Sequence, residues 1–160
     1  MRTIEKRIVV YEYTTIWDLP ANEQRLVMAS RESALNAWAP YSNFYVGAAV
    51  LLANNEIITG NNQENASFSC SLCAERVALF QANSQFKDVP VKAIAITASN
   101  GHGITDEPVK PCGSCRQALL EVEVRFNQLI RIILEGRNKI QVFEGVENLL
   151  PYAFKPDSLG

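Results

Sequence analysis

Cys73-Ala74-Glu75-Arg76 and Pro111-Cys112-Gly113-Ser114-Cys115-Arg116 are the two stretches on which the reading of this chain turns. Each delivers thiols at the point where a helix-like sequence begins, so three cysteines and one carboxylate arrive in two short bursts. Zinc is borderline-soft and suits thiolate ligands, and Cys73, Cys112 and Cys115 leave the fourth tetrahedral position open, as a catalytic rather than a structural site requires. Glu75, two residues after the first thiol, is then a candidate carrier of protons between water and a substrate.

A rival reading uses all four cysteines, because Cys70-x-x-Cys73 and Cys112-x-x-Cys115 have the local spacing of a structural ribbon. Against it, the 38 residues between Cys73 and Cys112 contain a helix and a buried strand, whereas such ribbons separate their pairs by about 15–20 residues. A closed site also leaves Glu75 without a task, and a capping box fails because Leu72 stands three residues before it. Cys70 is read instead as a small buried residue. Three thiolates on one dication carry a net negative charge, which weakens the metal as a Lewis acid. Helix N-termini offset part of that charge, and Arg76 and Arg116, directly after the two motifs, are the candidates for the rest.

The remaining chain frames these bursts. At 160 residues and 17.8 kDa it fits a single domain, 1–160, with 1–18 as an N-terminal extension. A net charge of -2 and a pI near 5.5 disfavour nucleic-acid binding, which needs clustered cations. No segment reads as a signal peptide or a membrane span, so a cytoplasmic location and no membrane partner are expected. Patterning predicts a strand over 3–13, a helix over 21–38 opened by Pro20 with Trp38 in the core, and a hairpin over 46–53 and 56–59. Further on it predicts a helix over 73–83 filled by Val77 to Phe80, a buried strand over 91–97 and a helix over 115–126. Strands over 129–134 and 140–143 and a short helix over 146–150 complete the pattern. Helices alternating with strands point to an α/β fold.

Four segments carry a resemblance. Tyr41-Ser42-Asn43-Phe44-Tyr45-Val46-Gly47-Ala48-Ala49, Asn62-Gln63-Glu64-Asn65-Ala66, and the two thiol motifs resemble, in order and spacing, the small homotetrameric cytidine deaminases. Their three-cysteine zinc signature uses a carboxylate as acid and base without ligating the metal. The resemblance implies a three-layer α/β/α fold with a five-stranded mixed sheet, one Zn2+ per chain, and hydrolysis of cytidine and deoxycytidine to the uridines with release of ammonia. It makes Cys73, Cys112 and Cys115 ligands and Glu75 the proton shuttle. Asn62 and Glu64 hold the ribose, Phe44 packs on the base, and Ala66, Ala74 and Phe68 join the substrate contacts. Phe68 replaces a tyrosine frequent in the family. The partners implied are a nucleoside, water and three further copies of the chain, with Phe154 reaching a neighbouring subunit's pocket.

Overall fold

The computed structural model describes residues 1–159; residue 160 of the expected domain lies outside them. Continuous apolar runs, rather than alternating ones, mark strands covered on both faces, and Tyr45–Leu52 is such a run. It forms β2, pairs antiparallel with β3 (Ile57–Asn61) on one side and with β4 (Val91–Asn100) on the other, and is buried from Gly47 onward. Between β2 and β3, Asn55 takes a left-handed φ of 70°, which asparagine tolerates in a tight turn. β4 runs parallel to β6 (Arg131–Glu135), and β7 (Ile140–Glu144) returns antiparallel to β6.

These five strands are the expected mixed sheet, but two short strands extend it to seven. β1 (Tyr11–Tyr13) pairs with the otherwise free edge of β7, and β5 (Gly103–Ile104) folds back onto the end of β4. The path is β1-β7-β6-β4-β2-β3. Most of the strand predicted over 3–13 is therefore not strand, because only its last three residues reach a partner.

Residue alternation sends β2 to two cores. Ala48, Val50 and Leu52 face α2 (Ala74–Gln85) and α3 (Gly113–Phe126), with Leu79 and Leu119 fully covered between the layers. Ala49 and Leu51 face the opposite layer, where Leu26 and Val27 of α1 (Ala21–Ala34) pack on Ala93, Ala95 and Ile133. The result is the expected α/β/α arrangement. Among the described residues no helix is long and apolar enough to cross a membrane.

Three expectations need correction. α1 stops at Ala34, because the backbone of Trp38 exchanges hydrogen bonds with Asn62 and Glu64, and this pairing turns the indole outward to 60 % exposure rather than into the core. Phe80 lies on the outer side of α2 and is half exposed. The helix expected over 146–150 is a single turn, Val146–Asn148.

The helices approach the sheet closely enough to require glycine. A Cβ on Gly60 would stand 2.4 Å from the backbone nitrogen of Ala78 and 2.9 Å from the Ala74 oxygen, so α2 would have to lift off β3. Gly60→Ala is therefore expected to lower unfolding free energy by about 1–3 kcal/mol, the usual cost of overpacking. Thermal denaturation checks this, and an unchanged midpoint would contradict the close approach.

Candidate active site

Both thiol motifs occupy helix starts on the same side of the sheet. Cys73 is the N-cap residue of α2 and Cys112 that of α3; each carbonyl accepts from the helix, from Arg76 and Val77 in one case and Arg116 in the other. Cys115 sits in the first turn of α3, three residues after Cys112, and neighbours at that spacing share a helix face. The three sulfurs lie within 4.8 Å of one another, with Cys73 Sγ 3.8 Å from Cys112 Sγ and Cys112 Sγ 3.4 Å from Cys115 Sγ.

Tetrahedral zinc with Zn–S bonds of about 2.3 Å needs sulfurs about 3.8 Å apart, so the cluster fits the ion. Cys70 does not join it. It lies in the exposed turn Phe68–Cys70, its Sγ 3.7 Å from Ser67 Oγ, so it is neither a ligand nor the buried residue expected. The physical cause is the pairing of Leu72 with Gln63, which holds the chain extended between the two cysteines.

Charge follows the geometry. The Cys73 thiol is brought down to about 5, first by a hydrogen bond with Cys115 and also by Arg76, while burial opposes the change. Cys115 is pushed up, first by that same bond and then by burial. Arg76 directs Nη2 toward Cys73 Sγ at 3.9 Å, and its buried Nε has no hydrogen-bond partner among the described residues, which places a cationic donor beside the thiolates. Arg116 is anchored on backbone. Its Nε donates to the Pro111 carbonyl at 2.8 Å and its Nη1 to the Leu149 carbonyl at 2.7 Å, so its donors hold backbone.

Glu75 is 5 % exposed on the first turn of α2. Burial is the main cause that raises its pKa above the ordinary carboxylate value, and the charge of Cys73 adds to it. A cavity of about 480 Å³ opens beside it, within the range of small-molecule sites, and Phe44, Asn62, Glu64, Cys73, Ala74 and Cys112 line it. Asn62 and Glu64 both face it because side chains two apart on an extended segment point the same way. Asn62 receives the Val46 N–H at 2.7 Å and donates to the Phe44 carbonyl at 2.9 Å, which pins the segment bearing Phe44 against it.

Glu64 accepts from the Ser42 hydroxyl, the Tyr41 N–H and the Ser42 N–H. The hydroxyl is the largest cause of its lowered pKa. Ser42 was legible only as part of a quoted motif, and its clamp on Glu64 depends on a tertiary contact. Lys110 also lines the cavity, its ammonium on the Pro108 carbonyl at 2.9 Å. Ala66 and Phe68 stand apart on an exposed loop, where the Phe68 and Tyr41 rings form an edge-to-face pair with centres 6.0 Å apart, and Phe154 is likewise exposed.

Residues 20–129 match the cytidine and deoxycytidylate deaminase zinc-binding region. The chain belongs to this family. It is 38% identical over 138 residues to a cytidine deaminase of Halalkalibacterium halodurans, covering 86% of this chain and 98% of that one. A cytidine deaminase of Sporosarcina psychrophila is 36% identical, covering 85% and 93% respectively. In three dimensions the chain resembles the crystal structure of cytidine deaminase from Burkholderia pseudomallei, with a TM-score of 0.70, 34% identity, and 81% and 97% of the two chains covered. The family is zinc-binding, and the Cys73, Cys112 and Cys115 cluster has the donors and spacing to hold the ion.

Metal analysis separates the three-thiol site from its rival. Cys70→Ser is expected to retain one zinc per chain and Cys112→Ser to lose it; loss of zinc from both would contradict the three-cysteine site.

Proposed function

We propose that this protein hydrolyses the amino group of cytidine and deoxycytidine, giving uridine, deoxyuridine and ammonia for pyrimidine salvage in the cytoplasm. The observation that carries this reading is the position of Glu75: a buried carboxyl two residues from a metal-site cysteine, opening onto the cavity that Asn62, Glu64 and Phe44 line. Phe44 offers a flat face to the base. Asn62 and Glu64 supply the donor and acceptor that sugar hydroxyls require.

Cys73, Cys112 and Cys115 would hold the zinc, which would supply the Lewis acidity that activates a water. Glu75 takes a proton from the attacking water and delivers it to ring N3 as the new bond forms at C4. It then takes the second proton of that water and passes it to the departing amino group, which leaves as ammonia, so one carboxyl group serves every transfer. The raised pKa fits this task, because an acid and base in turn works best when its proton affinity is near the operating pH. Arg76 offsets the charge of the thiolates, and the buried backbone of Ala74 closes the cavity wall between Cys73 and Glu75.

The whole chain is read as one working domain that assembles as a homotetramer. Ala66, Phe68 and Phe154 are then substrate-pocket residues that act across subunit boundaries. Their exposure in one chain supports this, since Phe68 is 75 % and Phe154 59 % exposed.

Incubation with cytidine, followed by absorbance or released ammonia, tests the activity. Glu75→Gln is expected to keep zinc and fold while turnover falls by about 10²- to 10⁴-fold. Normal turnover in that zinc-loaded variant would contradict the assignment. In the same assays Asn62→Ala is expected to lose about 1–3 kcal/mol in kcat/KM for cytidine but not for free cytosine.

A further inference from the structure

Residues 1–19 precede the segment that matches the family, yet their contacts converge on one place. Lys6 Nζ donates to Glu147 Oε1 at 3.0 Å and to the Pro151 carbonyl, and it stands 4.8 Å from the centre of the Tyr152 ring. Val9 N–H donates at 3.0 Å to Asn148 Oδ1, whose Nδ2 donates to the Glu144 carbonyl at the end of β7. The same tail is held from its other side by the helix that bears two of the thiols. Arg116 takes the Leu149 carbonyl and Gln117 the Phe154 carbonyl at 2.9 Å.

We propose that the N-terminal segment clasps the C-terminal tail, with Lys6 as the positioning residue that holds 147–152 against the first turns of α3. Apolar burial does not hold the segment. Ile4 and Ile8 are 67% and 54% exposed, and strand pairing begins only at Tyr11. Clefts of about 340 and 200 Å³ remain between segment and tail, and Lys6 borders both. The hold therefore depends on a few directional contacts around one ammonium. Each is weak, since an exposed ion pair contributes little and a cation on an aromatic face somewhat more. The clasp adjusts the tail's mobility rather than deciding whether the chain folds.

Its consequence for activity rests on the preceding reading, in which the tail and Phe154 complete a neighbouring pocket. A loosened tail then weakens nucleoside binding more than the chemical step, because Cys73, Glu75, Cys112 and Cys115 do not touch the segment.

The test compares the zinc-loaded full chain with Lys6→Ala and Lys6→Arg by hydrogen exchange, cytidine kinetics and light scattering. Lys6→Ala is expected to speed exchange of the Leu149 and Leu150 amides, which donate to the Val146 carbonyl, about threefold to tenfold, the range that one or two such contacts support. Amides of β4 and β6 should stay unchanged, and Lys6→Arg should restore most of the protection. The KM for cytidine should rise in Lys6→Ala with kcat nearly constant. Tail exchange equal to the parent's would overturn the clasp, whatever the assembly. Faster tail exchange with an unchanged KM would overturn its link to the pocket. A fully active monomer in light scattering would overturn the tetramer while leaving the exchange result to judge the clasp.

Discussion

Three sulfurs from positions 73, 112 and 115 must meet at one point, and the rest of the structure is arranged by that requirement. Thiolates repel one another, so bringing them together needs positive potential that does not itself occupy the centre. Two helix starts supply part of it, since unpaired N–H groups there favour negative charge. The guanidinium of Arg76 supplies more from the rim. Both helix starts reach the same place because α2 and α3 lie on one face of the sheet, packed over Ala48, Val50, Ile94 and Ile132. Gly60 lets α2 settle on β3, and small alanines beneath it keep the layer thin.

The same arrangement separates ligand from acid and base. Cys112 and Cys115 share a helix face, while Cys73 precedes the first turn of α2. Glu75, two residues farther on, is rotated about 200° around the axis from that starting point. It stands beside the thiol cluster, and among the described residues the three sulfurs alone form a set capable of holding a metal. Burial then keeps its proton affinity high, where water exposure would have left an ordinary carboxylate. A hairpin edge finishes the cavity: Asn62 ties down the backbone at Phe44 and Val46, and Ser42 orients Glu64.

Much of this was legible in the residues themselves. Thiol spacing, the odd carboxylate and the alternation of helix with doubly buried strand are local patterns, and they led to the α/β class and the candidate metal set, while the three layers and the cavity wall came from the family resemblance. What escaped depends on contacts between distant segments. Periodicity placed Trp38 inside, but backbone pairing with 62–64 turns it out. Proximity to a motif drew attention to the charge of Arg116, but its donation to two carbonyls of the loop and tail was not legible there. Cys70 had the spacing of a ligand and the residue type of a core position, and it is neither, because the chain between it and Cys73 is held extended. The N-terminal segment had the pattern of a strand, yet only Tyr11–Tyr13 finds a partner, and the contacts of Lys6 with the opposite end of the chain left no mark in the pattern.

Absorption spectroscopy at the zinc edge, on the protein purified with its metal, tests the central claim most directly. Three sulfurs at about 2.3 Å and one oxygen or nitrogen at about 2.0–2.1 Å are the predicted shell, the signature of a site with a position left for chemistry. A shell of four sulfurs would contradict it, for the metal would then be a closed structural clamp.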